Sequence, residues 1–271
     1  MQALLAITGL LMMIFIITRC RAGVMRKCLS LSLIPLSCVI CAVLFQTTTA
    51  IFIVLAMWLL VPAIEIYFRH RGIRIEPVRQ IYSDAPSPYL IPHTESAIYE
   101  LEEAGYEEVD ECSWRWEGMN KHFTFYWHPE KRAITSLVIC EQANLVFSYL
   151  NIRSFNAQGE AWRTTNFPYS PLLAPLPKSH LKRIPCEETS FLKLQKRHDD
   201  FLKKYLHDVD DLIIPNPESI RQSLKEEILL QIQHNIDAKL IKHNKLGNYT
   251  YTPKGIGYRW ITAITDLIRL C

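Results

Sequence analysis

Two kinds of hydrophobic pattern divide the chain. The N-terminal quarter consists of nearly unbroken apolar runs, whereas the remainder mixes apolar and polar positions with helical and strand periods. An uncharged run covers residues 3–18, and the polar cluster at 46–49 divides a second, longer run into 29–45 and 50–67. Each segment has about the length that a membrane span requires. The pattern therefore predicts a transmembrane helical anchor over residues 1–68, with three spans.

Basic residues flank these apolar segments. Lys/Arg-rich flanks of membrane spans stay in the cytoplasm. Three spans place both basic clusters on one side of the membrane, together with the large domain, whereas two spans would place them on opposite sides. We therefore favour three spans in a plasma or inner membrane, with the large domain facing the cytoplasm. The residues expected at the membrane interface are Arg19, Arg21, Arg26, Lys27, Arg69, Arg71 and Arg74.

The segment after the anchor, residues 69–92, is basic and then rich in proline, which predicts an extended linker. Residues 93–271 are expected to form a soluble α+β domain, which begins with a short helix over 93–104. Closely spaced aromatic and β-branched stretches separated by turns predict an antiparallel meander of about four strands. These strands are expected at 122–127, 133–140, 145–155 and 160–165.

Several helices are predicted to pack with this meander. Residues 166–185 contain five prolines and are expected to form a long surface loop. Apolar residues then recur at spacings of three and four over 191–209, which indicates an amphipathic helix. A second helix is predicted over 217–246, with Asn216 as its N-cap and Gly247 as its terminator.

The second of these helices carries an unusual apolar stripe. Its members are each four residues apart, so the stripe drifts around the helix by roughly 200° over its length. A straight helix cannot lay such a stripe on one flat partner. One half is therefore expected to face another subunit or the membrane-proximal surface. The stripe consists of Ile220, Leu224, Ile228, Ile232, Ile236 and Leu240.

The C-terminal segment 258–270 has the pattern of another amphipathic helix, with basic residues nearby. Two placements follow from this pattern. The helix could lie on a bilayer, as basic amphipathic helices do, or it could cap the core of the soluble domain. We favour the second placement.

Charge is distributed unevenly between the two parts of the chain. Residues 1–79 hold eight of the thirty Lys/Arg and two of the twenty-seven Asp/Glu. The remainder therefore holds 22 basic and 25 acidic residues, a formal net charge of −3. A nucleic-acid-binding domain normally carries an excess of positive charge. Nucleic acid is therefore not expected among the partners.

Three polar residues are the candidates for a functional site. His198 lies on the apolar face of its helix, where a histidine can act as a base or ligand but more often hydrogen-bonds a backbone carbonyl. Thr165 and Asn166 end a strand before the proline-rich segment, where they can line a ligand site or simply form a turn. The sequence contains no catalytic, cofactor-binding or metal-binding motif, so neither a cofactor nor a bound metal is expected.

The function expected from these observations is that of a membrane-tethered interaction module. The lipid bilayer is one partner, and the helix over 217–246 is expected to bind a protein partner or a second copy of the chain. Enzymatic activity is not favoured. Two alternatives remain: a membrane-bound enzyme with an unfamiliar site near His198, and an accessory subunit of a larger membrane complex.

Overall fold

The structure is a computed structural model in which the chain divides into two compact units. One unit comprises residues 1–73 and 251–271, and the other comprises residues 74–250. The first apolar run, residues 3–18, lies outside the described part of the chain except for Thr8 and Met12, as does most of the predicted linker. The structure describes residues 8, 12, 23–71, 81–82, 91, 93–116, 119–128, 130–142, 145–184, 188–206, 209–244 and 248–270.

Two apolar helices in contact with each other form the described N-terminal part. Helix α1 runs from Gly23–Phe45 and α2 from Thr48–Arg71. Gln46, with a left-handed φ of 51°, lies between them, at the polar cluster where the sequence predicted the break. The indole N–H of Trp58 in α2 donates to Ser37 Oγ in α1 at 3.1 Å. Both helices are longer than the spans predicted.

The two helices differ in the length of their apolar segments. Among the described residues, Thr48–Phe68 is long and apolar enough to cross a membrane, as judged by length and composition alone. None of its most apolar part is buried inside the protein. The segment Ser32–Phe45 is also apolar but shorter than a full span.

A seven-stranded sheet forms the centre of the second unit. Its strands follow one another in chain order, and all neighbours are antiparallel except β6 and β7, which are parallel. The mixed α+β class is thereby confirmed, with a larger sheet than the four-stranded meander predicted. The strands are β1 (Ile81–Tyr82), β2 (Glu107–Trp116), β3 (Met119–Trp127), β4 (Ile134–Gln142), β5 (Leu145–Phe155), β6 (Ala161–Thr165) and β7 (Ser179–Arg183).

Helices cover both faces of this sheet. Helices α3 (Thr94–Glu103) and α4 (Phe191–Tyr205) pack on one face, and α5 (Ile220–Asp237) packs on the other. Because successive residues of a strand point to opposite faces, each strand contributes to two cores. The core beneath α3 and α4 includes Leu101, Leu137, Leu150, Ile152 and Leu194. The core beneath α5 includes Phe123, Phe125, Val138, Ile220 and Leu224.

Helix α5 is shorter than the helix predicted over 217–246. A 3₁₀ turn, Pro217–Ser219, precedes it, and Asn216 accepts a hydrogen bond from the Glu218 amide as the predicted cap. The helix ends where Lys239 takes a left-handed φ of 59° and the Leu240 amide donates back to Asn235 O at 2.9 Å. This closure satisfies the last carbonyl groups of the helix. The short strands β8 (Ile241–His243) and β9 (Tyr249–Tyr251) then pair with each other.

The segment predicted as a featureless loop, residues 166–185, also differs from expectation. It contains β7, whose five residues are all half-buried and pair in parallel with β6. A half-buried strand among prolines shows no apolar–polar alternation. The sequence pattern therefore could not reveal this strand.

The last helix, α6 (Pro253–Leu270), begins five residues before the predicted start. It packs against α2 and α1 within the first unit. The sequence had favoured a cap on the core of the soluble domain, so these contacts were not expected. The chain thus leaves the helical unit after residue 73 and returns to it at residue 251.

Candidate functional site

His198 occupies the buried face of α4. The helix begins at Ser190, whose hydroxyl accepts a hydrogen bond from the Lys193 amide. The apolar spacing of the sequence then turns one face toward the sheet, and His198 on that face is only 1% exposed. The other buried members of this face are Phe191, Leu194, Gln195, Phe201 and Leu202.

Two hydroxyl groups of the sheet bind the imidazole ring. His198 Nε2 lies 3.0 Å from Ser154 Oγ of β5, and Nδ1 lies 3.0 Å from Thr164 Oγ1 of β6. A neutral imidazole donates through one nitrogen and accepts through the other, so both hydroxyl contacts are satisfied together. The expected partner of this histidine was a backbone carbonyl. Its partners in the structure are two side-chain hydroxyls instead.

The surroundings of His198 favour its neutral form. Burial, and secondarily the charge of Lys182, lowers the pKa of His198 to about 4. The ring is therefore uncharged at neutral pH. Ser154 is fully buried, so a substrate would need a path that the packing of α4 closes. The arrangement as it stands joins α4 to β5 and β6.

Thr165 and Asn166 lie just beyond Thr164 but bind other groups. Thr165 Oγ1 donates to the Leu150 carbonyl at 3.0 Å and accepts from the Phe167 amide. Asn166 Oδ1 accepts from the Leu150 amide at 2.7 Å, and its Nδ2 donates to the Glu188 carbonyl at 2.9 Å. These two side chains therefore tie the end of β6 to β5. They share none of these partners with His198.

One surface cavity of about 480 Å³ lies elsewhere on the sheet unit. Four of its seven lining residues bind one another: Lys178 Nζ donates to Gln158 O, and Asn156 Nδ2 donates to Glu160 Oε2. Such internally satisfied groups leave little to recognise a ligand. Neither His198 nor Asn166 lines the cavity, whose lining is Asn156, Gln158, Glu160, Lys178, Tyr205, Leu206 and Asp211.

A second set of hydrogen-bonded polar side chains extends across strands β2, β3 and β4. These residues were not among the candidates from the sequence. Ser113 Oγ of β2 lies 2.7 Å from His122 Nδ1 of β3, and His122 Nε2 lies 3.4 Å from Glu141 Oε2 of β4. The residue types are those of a hydroxyl–imidazole–carboxylate relay. Ser113 and His122 are only 5% and 8% exposed, so the contacts act within the fold. Ser113 and His122 face each other only because of the strand register, which the sequence pattern does not show.

A charged cluster lies on the opposite face of the sheet. Arg153 Nη1 of β5 binds Glu227 Oε2 of α5 at 2.9 Å, and Arg163 of β6 binds the other oxygen of the same carboxylate. Burial lowers the pKa of Arg153, while the charge of Glu227 acts in the opposite direction. The Nε atoms of both arginines are buried and have no hydrogen-bond partner among the described residues. The cluster links α5 to two strands through charge as well as apolar packing.

The apolar stripe of α5 is largely enclosed within the chain. Ile220, Leu224, Ile232 and Leu240 are buried, and Ile228 and Ile236 are half-buried. The drift of the stripe is therefore not itself a reason to expect a partner. Two other apolar residues of the same helix remain on the surface: Leu229 is 49% exposed and Leu230 is 60% exposed.

The described part of the chain brings together no group of three or more His, Cys, Asp or Glu side chains that could hold a metal ion. Of the expected interface residues, Arg26, Lys27, Arg69 and Arg71 lie in α1 and α2, whereas Arg19, Arg21 and Arg74 lie outside the described residues. No family model, curated protein or solved structure matches the chain. A functional argument therefore depends on the chemistry of the chain itself.

Proposed function

We propose that the protein is an integral membrane protein whose apolar helices anchor a cytoplasmic α+β unit. The observation that carries this proposal is the exposed surface of α2. Its large apolar side chains include Phe52 at 70% exposure and Leu60 at 54%, and no part of its most apolar stretch is buried. Soluble monomers rarely expose apolar surface of this extent. In a bilayer, lipid chains would cover this surface and keep it out of contact with water.

Three spans remain the topology that we propose. The run over 3–18 would form the first span, and α1 and α2 would form the second and third. Basic residues before and at the start of α1 and at the end of α2 would then lie on the same, cytoplasmic, side. The membrane would be a plasma or inner membrane. The contact between Trp58 and Ser37 supports a paired arrangement of the last two spans.

The test combines extraction and topology. The protein should stay in the membrane fraction after alkaline carbonate treatment. Reporter domains fused after Arg26 and after residue 271 should give cytoplasmic signals, and a fusion after Thr48 should give the opposite signal. Release by carbonate would contradict the anchor. An extracytoplasmic reporter after residue 271 would instead overturn the orientation.

For the sheet unit, we propose self-association through the outer side of α5. Leu229 and Leu230 form an exposed apolar pair on the helix that the sequence analysis assigned to a partner. Adjacent apolar residues on one helix can meet the same residues of a second copy across a two-fold axis. Tethering to a membrane also raises the effective concentration of one copy for another. Binding of a different protein at these residues is the other outcome of the test.

The test compares matched serine substitutions on α5. The double substitution of Leu229→Ser and Leu230→Ser should abolish chemical crosslinking between copies in native membranes. Lys225→Ser, at an exposed position of the same helix, should leave crosslinking unchanged. Crosslinking that persists in the double variant would contradict the assigned surface. A crosslinked species of a mass unlike that of a dimer would identify a different partner at this surface.

The second candidate function is a membrane-bound enzyme with its site near His198. The observation that favours it is the 3.0 Å contact between the neutral imidazole and Ser154 Oγ, which has the spacing of a base and a nucleophile. A fluorophosphonate probe applied to the protein in membranes should then label Ser154. Labelling should be lost in Ser154→Ala and in His198→Gln. Absence of labelling in the folded protein would remove this candidate.

A further inference from the structure

The C-terminal helix α6 carries several charged residues and yet packs against apolar helices. It packs against α2 and α1, which are the two apolar helices of the described chain. It follows β9 at the end of the chain, so it returns to the helical unit after the whole of residues 74–250. If α2 is surrounded by lipid, a helix that packs on α2 lies within the bilayer or at its surface. The charged residues of α6 then decide whether the helix crosses the bilayer or lies at its surface.

These charges exclude a span. The 18 residues of α6 contain three basic residues and one acidic residue, Lys254, Arg259, Arg269 and Asp266. The apolar stretch Thr48–Phe68 contains only Glu65, near its end. Charged side chains at the bilayer centre are costly, and helices that carry several of them lie in the interface instead. Helix α6 therefore fits the surface of the membrane and not its interior.

The two sides of α6 differ in a way that matches this position. Among the α6 side chains that the structure describes, Lys254, Ile261 and Thr265 are exposed within about 40° on the helical circumference, and Pro253 at the first position is also exposed. Lys254, Ile261 and Thr265 form one outward strip that mixes charge, apolar surface and a hydroxyl. Residues of other positions, such as Ile256 and Ile264, are half-buried in the helical unit. An outward strip of mixed polarity suits the headgroup layer, which is neither water nor hydrocarbon.

We propose that α6 lies in the plane of the membrane and binds phospholipid headgroups, with a preference for anionic lipids because of its excess of basic residues. This inference rests on the proposed membrane function and adds a lipid-binding surface to it. Each basic residue near an anionic surface strengthens binding by roughly fivefold. The lipid contact lies along the outward strip of α6, and α1 and α2 lie behind it.

The experiment uses the full chain with a photoreactive benzoylphenylalanine at one position at a time. The protein is placed in bilayer nanodiscs of phosphatidylcholine mixed with phosphatidylglycerol, irradiated, and analysed by mass spectrometry for lipid adducts. Position 261 on α6 is the test position. Position 52 on α2 is the positive control for the anchor, and position 214, which is 60% exposed on the sheet unit, is the negative control.

Lipid adducts are expected at positions 52 and 261 and not at 214. Adducts at 52 without adducts at 261 would overturn the placement of α6 and leave the membrane anchor intact. Failure at both positions would contradict the proposed membrane function itself. Equal adduct yields at 261 and 214 would also overturn the proposal, because lipid contact would then not be specific to α6.

The headgroup preference has its own comparison. With the reactive group at 261, phosphatidylglycerol should be enriched over phosphatidylcholine among the adducts. Lys254→Gln together with Arg269→Gln should lower this enrichment severalfold. Lys225→Gln on the sheet unit removes a positive charge elsewhere and should leave it unchanged. Equal enrichment in all three proteins would overturn the assignment of anionic lipid to α6.

Discussion

Arg153 of β5 lies directly opposite Arg163 of β6, and both guanidinium groups bind the carboxylate of Glu227. Like charges at opposed positions of a sheet repel each other. Because Glu227 belongs to α5, the helix on this face supplies the charge that offsets the repulsion. The pairing of β5 with β6 and the packing of α5 therefore depend on one another.

Glu227→Gln is expected to destabilise the sheet unit by about 3 kcal/mol. The substitution keeps the shape of the side chain but leaves two close arginines without their common counter-charge. The measurement is urea unfolding of the detergent-solubilised protein, followed by circular dichroism. Glu226→Gln alters the exposed neighbour and should change the free energy of unfolding by less than about 0.5 kcal/mol. Equal effects of the two substitutions would contradict the role given to this cluster.

His198 is expected to make the protein less stable in acid. Its pKa falls from 6.5 in the unfolded chain to about 4 in the fold, so between these values the unfolded chain binds the proton and the native fold does not. Stability is therefore complete above pH 6.5 and falls as the pH drops toward 4, by an amount on the order of 3 kcal/mol. Thermal melting across this range measures the effect.

His198→Gln should flatten this dependence, since glutamine keeps hydrogen-bonding capacity but does not titrate. His243→Gln, at an exposed position on β8, serves as the matched control and should retain the slope of the wild-type protein. A slope that is unchanged in His198→Gln would show that other groups cause the acid sensitivity.

Gly105→Ala should cost more stability than Gly159→Ala. Both glycines have left-handed φ angles, 81° and 76°, which cost an alanine roughly 1 kcal/mol. Only at Gly105 would the added Cβ also meet a neighbour, the ring of His128 at 3.2 Å. The difference between the two melting temperatures reports this additional contact. Equal losses would mean that the His128 ring moves aside freely.

Substitutions at one buried and one exposed residue of α5 should have different effects on stability. Ile232 is 3% exposed, so Ile232→Ala should lower the free energy of unfolding by about 2–5 kcal/mol. Leu230 is 60% exposed, and Leu230→Ala should change it by less than about 0.5 kcal/mol. Urea unfolding in detergent, at a dilution where copies do not associate, measures both. A large loss in Leu230→Ala would mean that this side chain packs within the chain.

Local patterns predicted much of this fold. The face of α4 was visible because Phe191, Leu194 and Phe201 recur with the helical period, and that period depends on the helix alone. The end of α5 was placed too late because Lys239 adopts a backbone conformation usually taken by glycine. The amides of Lys239 and Leu240 donate back into the last turn of the helix, and no glycine marks this position in the sequence.

At the candidate site, too, the sequence predicted one feature and not another. The burial of His198 follows from its position in an amphipathic helix and was expected. Its partners Ser154 and Thr164 come from two strands, and their approach depends on the register of β5 with β6. The pairing of Ser113 with His122 has the same origin. Register is determined by packing across the whole sheet, so neither set of contacts could be predicted from spacing.

The return of the chain at residue 251 affects how the protein responds to proteolysis. Residues 74–250 are continuous with the helical unit at both ends. A single cut in any loop of the sheet unit therefore yields two fragments, an N-terminal one that contains α1 and α2 and a C-terminal one that contains α6. Since α6 packs on α2, both halves remain held to the same helices after the backbone is broken. Release of the sheet unit as a free fragment requires two cuts, one on each side of it.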